Sequence, residues 1–236
     1  MVRGPAALLG ASALALTYFL LAGALPDLGR GDTAILVAGL VGVTLVALVV
    51  LALVDCGDSV PALMLLLVGS LMLVAEFDAA GAGPSVVVFE ALLAGSAGIL
   101  LGRALATPAV ALAIPIFVAI IDAWSVATGP TSRLTDSGAR GAAELTFDLP
   151  SWSGAPDASS RLGLVDALFL AMFAYWANRF GLRPRATAIG MVAGLLAAVV
   201  LSVVWDRAVP ALPLVAVGYW VPNIDRFEGL LLRRGE

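Results

Sequence analysis

The chain has 236 residues, 61% hydrophobic and 13% charged, with a formal net charge of −4 and a mean hydropathy of +1.04; soluble domains carry about 25% charged residues, so a water-soluble globule is excluded and an integral membrane protein is expected. There is no His and no Lys, and Cys56 is the single cysteine, which excludes His-based catalysis, His-ligated zinc or haem, an internal disulfide, a cysteine metal cluster and Schiff-base chemistry. The acidic balance, with a pI near 4.8, argues against a nucleic-acid partner, and carboxylates, hydroxyls, guanidinium groups and water are left to act with no metal or cofactor.

A bilayer-spanning helix takes about 20 residues, and apolar runs bounded by charge or Gly/Pro clusters predict eight spans. They cover 5–25, 33–54, 59–76, 85–102, 106–127, 164–181, 187–205 and a short last run at 209–222. Arg3 precedes the first run, and Ala22-Gly23-Ala24 resembles a signal-peptide cleavage site. The run is longer than the usual h-region of about 7–15 residues, so a retained helix is expected. Small residues recur four apart at Gly98/Gly102 and Gly190/Gly194, a spacing that lets helix backbones approach closely. No internal repeat is visible, so 1–236 is read as one transmembrane domain.

The only long polar segment is 128–162. Within it Glu144-Leu145-Thr146-Phe147-Asp148-Leu149 alternates polar and apolar residues, the period of a half-buried strand. A short β-strand is a candidate there, inside an otherwise all-α polytopic membrane protein.

Ionisable groups within spans cost about 2.5–3.5 kcal/mol on insertion scales and are functional candidates by default. Glu90, Asp122 and Asp166 stand out. Asp55, Asp58, Glu76, Asp78 and Asp206 lie at span edges, where a solvated carboxylate is the simpler reading, and for Glu90 a packing or near-surface role is favoured. Asp122 sits near the end of one predicted helix and Asp166 near the start of the next. Consecutive helices run antiparallel, so the two fall at similar depth and can face each other. Two facing carboxylates at low dielectric do not both ionise, and one keeps its proton. That is the preparation for aspartic-protease chemistry: one carboxylate activates a water, and the other, protonated, polarises the peptide carbonyl. Two unrelated interfacial Asp residues, each capping a helix or reaching water, are the competing reading.

The last apolar run opens Val209-Pro210-Ala211-Leu212-Pro213-Leu214. Two prolines three apart break a regular helix interior, and unwound backbone at membrane depth is tolerated where protein buries it or water reaches it. An unwound, wettable stretch is therefore expected over 209–213, near an active site.

The order Ile121-Asp122, Leu162-Gly163-Leu164-Val165-Asp166, then Pro210-Ala211-Leu212-Pro213 resembles the presenilin and signal peptide peptidase family of intramembrane aspartyl proteases. That family carries Tyr-Asp, then Gly-x-Gly-Asp, then Pro-Ala-Leu on its last helix, and Gly129-Pro130 follows Asp122 at about the family's distance. The resemblance covers roughly 115–220; the helices of 1–105 match only as hydrophobic segments. It implies a presenilin-like bundle with catalytic helices over 106–222, and Asp122 and Asp166 as the catalytic pair. Gly163, Leu164, Val165, Pro210, Ala211 and Leu212 would shape the site, with Leu145 and Phe147 on a strand that pairs with substrate. Ile121 stands where the family has Tyr, and Val165 where it has its second Gly. The family has nine helices, so by the resemblance one is missing at the amino end.

The expected function is hydrolysis of peptide bonds within or near transmembrane segments, with single-span membrane proteins or signal-peptide remnants as substrates in the lipid bilayer. Prepilin peptidases also use Gly-x-Gly-Asp, but lack the terminal Pro-Ala-Leu and continue their motif with a Lys. Rhomboid and site-2 proteases need His. The non-enzymatic alternative is a transporter or scaffold whose Asp pair binds protons or cations. The Ala/Val/Leu/Gly-rich, all-Arg composition suggests a prokaryotic cytoplasmic membrane. Over eight spans, the side holding both termini carries eight of the 13 basic residues. The positive-inside rule then puts the termini in the cytoplasm, whereas the family's topology puts the 128–162 loop there.

Overall fold

The computed structural model describes residues 3–26, 28, 31–57, 59–81, 83–128, 146–150, 152 and 161–227. Eight helices of ten residues or more form among them: α1 Arg3–Leu21, α2 Gly31–Val54, α3 Val60–Ala79, α4 Val87–Ala104, α5 Pro108–Thr128, α6 Leu164–Arg179, α7 Pro184–Trp205 and α8 Ala211–Trp220. Each matches a predicted span to within a few residues. Six of them (α1–α5 and α7) are long and apolar enough to cross a membrane. The protein is a mostly helical, multi-pass membrane protein.

Local sequence sets the helix ends. Pro108 and Pro184 open α5 and α7, where a missing N–H costs nothing. Ser59 caps α3 by accepting from the Ala62 N–H. Gly81 and Gly181 take positive φ just past α3 and α6, the left-handed turn that ends a helix without Cβ strain.

The helices are not equivalent. α2 and α4 lie inside, with about half of each apolar window buried (56% and 50%), whereas α1, α3 and α5 stand outside at 11–17%. Leu65, Val68, Leu71 and Met72 on α3, and Ile116, Phe117, Ile120 and Trp124 on α5, are exposed. Such apolar faces belong against lipid tails, the solvent of a membrane bundle. α6, only 16 residues long, fills the centre: Leu170, Ala171, Met172, Phe173, Trp176 and Ala177 are buried.

Close helix contact is made by the small residues. A Cβ on Gly98 would collide with the Leu168 carbonyl of α6, and one on Gly102 would press on Met172 and Tyr175. The Trp176 indole N–H donates to the Gly102 carbonyl at 2.8 Å, tying α6 to α4 where no side chain intervenes. On the other side Gly190 and Gly194 of α7 lie against Gly218 and Leu214 of α8, backbone on backbone. Both four-residue spacings thus mark real interfaces.

The polar segment between α5 and α6 contains two short strands, β1 Thr146–Asp148 and β2 Arg161–Gly163, paired antiparallel with Phe147 opposite Leu162. Residues 146–148 of the alternating stretch are therefore a strand, paired within the chain. The chain after β1 dips into the bundle: Leu149 is buried, its methyls against Gly42 of α2. The Trp152 indole N–H donates to the Pro26 carbonyl at 2.8 Å.

Candidate active site

Asp122 lies in the last two turns of α5, half-buried. Its Oδ2 accepts a hydrogen bond from the Leu212 N–H at 3.0 Å, and the Ala211 N–H is also directed at the carboxylate. Both donors belong to the first turn of α8, where backbone N–H groups have no partner within the helix. A carboxylate is favoured there by hydrogen bonding and by the helix dipole. Pro210 is the N-cap and offers no side-chain acceptor, so an acceptor from another helix completes the start of α8.

The Pro-Ala-Leu-Pro run differs from the expectation of an unwound stretch over 209–213. Val209 and Pro210 are outside the helix, while Ala211, Leu212 and Pro213 form its first turn. The reason is positional: a proline in the first turn gives up an N–H that has no intrahelical partner anyway. The two prolines start a helix instead of interrupting one.

Asp166 sits in the first turn of α6. Its carboxyl accepts from the Gly163 N–H, the N-cap of the same helix, which is the return half of a capping box. Gly163 is at once the last residue of β2 and the cap of α6. A Cβ there would lie 2.8 Å from the Asp166 Oδ2, so the glycine makes room for the carboxyl. The two Asp carboxyls are within electrostatic range of each other.

The remaining predicted site residues divide. Leu164 opens α6 and packs against the core. Val165, which stands in place of a family glycine, is 41% exposed and does not wedge between helices. Ile121 is also exposed. Leu212 is buried, anchoring the turn whose amides reach Asp122. Phe147 lies in β1, and Leu145 falls outside the described residues. Glu90 is in the first turn of α4, near a membrane surface and away from the bundle's mid-depth.

Sequence reading missed two features. β2 is one, since Arg161-Leu162-Gly163 has too few residues to show a period. The other is a cavity of about 460 Å³ between the end of α5 and the α7–α8 connection, lined by Ala123, Val126, Ala127, Trp205, Arg207, Ala208, Val209 and Pro210. A lone Arg between two apolar runs was its only signal.

No protein family, curated protein or solved structure gives a match to this chain.

Proposed function

We propose that this protein is an intramembrane aspartyl protease of the presenilin and signal peptide peptidase type, with Asp122 and Asp166 as its dyad and all eight helices as spans. The observation that carries the reading is the tie between Asp122 and the amides of Ala211 and Leu212. Three separated motifs, chosen on sequence grounds alone, meet at one end of the bundle. A two-Asp coincidence does not require the Pro-Ala-Leu turn to join them.

In this mechanism one carboxylate takes a proton from a water whose oxygen attacks the scissile carbonyl. The other carboxyl gives its proton to the carbonyl oxygen, and the tetrahedral intermediate collapses when the leaving nitrogen is protonated. The α8 amides hold the Asp122 carboxyl in one orientation, as a preorganised site requires. β1 and β2 lead into α6 three residues before Asp166, so a substrate strand laid along either open edge would bring its backbone toward the dyad.

The test is cleavage of a single-span reporter by the purified protein in detergent, set against Asp166→Asn. Cleavage that disappears in the variant, resists zinc chelators and serine reagents, and yields to a hydroxyl-bearing transition-state analogue supports the reading. A folded parent that cuts no reporter, or a variant that cuts equally well, overturns it in favour of a non-enzymatic proton or cation binder.

A further inference from the structure

The cavity beside Asp122 has a chemistry of its own. Ala123 and Val126 follow Asp122 on α5, and Pro210 precedes the turn whose amides hold the Asp122 carboxyl. Its lining is apolar except at one point, with Ala, Val and Pro side chains beside the Trp205 indole. Among the described residues that line it, Arg207 is the only charged one.

The backbone places that guanidinium deliberately. α7 ends with Asp206 in the left-handed region at φ 48, uncommon for a residue with a Cβ, though Asp tolerates it better than most. The Arg207 N–H then turns back to the Ser202 carbonyl at 3.2 Å. This sharp reversal folds Arg207 over its own helix end, with Cζ 5.0 Å from the centre of the Trp205 ring. Backbone held in a sparsely populated region points to a position that the fold needs. One face of the guanidinium is covered by the indole, a cation–π contact. Among the described residues its N–H edges have no hydrogen-bond or carboxylate partner.

We propose that Arg207 and the cavity it lines form a subsite for a carboxylate carried by the peptide substrate, close to the scissile bond. This inference rests on the protease reading. The planar guanidinium matches a carboxylate in bidentate geometry, and at this exposed position the pair forms against competition from water. The walls of Ala, Val, Pro and Trp205 accept apolar side chains, with the charge at one end. The register of the carboxylate relative to the cut bond is what a positional scan reads out. It is either an Asp or Glu side chain or a chain's own C-terminal carboxylate.

The experiment scans one Asp through the positions flanking the cleavage site of a single-span reporter, with an Asn scan in parallel. A further pair of peptides ends at the preferred position as the free acid or as the amide. Rates are read for the parent, Arg207→Gln, Arg207→Lys and Arg207→Glu, in neutral detergent and in vesicles of zwitterionic or anionic lipid. The parent should favour Asp over Asn by about threefold at one register position, the size of an exposed charged pair. That ratio should fall to about one in Arg207→Gln, recover in part in Arg207→Lys, and invert in Arg207→Glu toward a reporter with Arg at the same position. Preference for the scanned side chain or for the free-acid terminus tells the two sources apart. Peptide affinity in the full-length Asp166→Asn protein is measured alongside. If the acid binds better than the amide there and the difference needs Arg207, the subsite stands even where no cleavage is seen and the protease reading fails. If Arg207→Gln slows all reporters alike, or acts only with anionic lipid, the guanidinium serves a lipid headgroup and the subsite proposal is overturned. Affinity ratios near one for both the Asp/Asn pair and the free-acid/amide pair overturn it as well.

Discussion

The carboxylate of Asp122 accepts the Leu212 N–H at 3.0 Å, across 90 residues of chain and between two helices. On the protease reading, the contact gives Asp122 a structural role beside the proposed chemical one. Asp122→Asn keeps an acceptor oxygen for the α8 amides, whereas Asp122→Ala leaves the Ala211 and Leu212 donors without it. An orphaned buried donor costs about 1–3 kcal/mol. Both variants should lose cleavage, but Asp122→Ala should also unfold at lower temperature than Asp122→Asn. Equal melting of the two in detergent would show that the contact does not hold α8.

Asp166 makes a different prediction, because its hydrogen bond stays within its own helix cap. Losing a cap costs about 1 kcal/mol, so Asp166→Asn should melt close to the parent while cutting nothing. The rate in the parent should rise and then fall with pH, since a working dyad needs one carboxyl charged and the other neutral and titrates as a coupled pair. A profile flat from about pH 4 to pH 9 would remove the dyad from the mechanism.

The interface between α7 and α8 sets the position of the turn that holds Asp122. Gly190 and Gly218 face each other with no room for a Cβ on either. Overpacking of this kind costs about 1–3 kcal/mol, so Gly218→Ala should lower both melting temperature and cleavage. Gly10→Ala and Gly69→Ala, where a Cβ meets nothing within 4 Å, should do neither. Comparable damage at all of these sites would mean that backbone approach is not what Gly218 provides.

The positions of the helices were legible because long apolar runs carry them, and the Asp pair because an intramembrane carboxylate is costly enough to be noticed. The four-residue glycine spacings were legible as a pattern. Their partners were not, since Gly98 meets the carbonyl of Leu168 only once α6 is in the bundle. The prolines at 210 and 213 misled for a related reason: the same pair that breaks a helix interior starts a helix when it falls in the first turn. β2 and the Arg207 cavity were hidden because each is made by parts distant in sequence, a strand partner in one case and two chain segments in the other.

Cys56 offers a direct measure of orientation. It lies in the turn between α2 and α3, beside the start of α1, where a Cβ on Gly4 would lie 3.1 Å from its Sγ. Arg103 reaches the Gly57 carbonyl in the same turn at 2.9 Å. Arg179, Arg183, Arg185 and Arg226 sit at helix ends on that side, opposite the dyad. By the positive-inside rule this end should face the cytoplasm, so a membrane-impermeant maleimide should spare Cys56 in intact cells and label it in inverted vesicles. Burial and the Asp55 charge push the thiol up, so less of it is thiolate at neutral pH and labelling should quicken as pH rises. Labelling in intact cells would reverse the orientation and place the 128–162 loop in the cytoplasm.

The last prediction concerns how a helix is opened for cutting. A peptide bond in a membrane helix has its carbonyl engaged by the amide four residues on, and unwinding frees groups that cost several kcal/mol each in hydrocarbon. A strand edge replaces those partners without demanding a sequence. The β1–β2 pair uses one edge of each strand and leaves the other edge of each unpaired among the described residues. It joins α6 at Gly163, which also gives its N–H to Asp166. The two strands pair with each other within the chain, so substrate would add a third strand to an existing ribbon, at a smaller ordering cost than building one from a loop. Successive N–H groups of a strand point to opposite edges, so Thr146→Pro and Phe147→Pro each delete a donor on a different side of β1. One of them should loosen the ribbon itself, seen as faster amide exchange through 161–163. The other should leave that exchange slow while still suppressing cleavage, because only the added strand has lost its partner. Both should change the melting of the helical bundle little, since its main contacts are between helices. Cleavage at the parental rate in both variants, or a substrate-bound state in which 146–148 is helical, would show that substrate backbone is satisfied by some other surface.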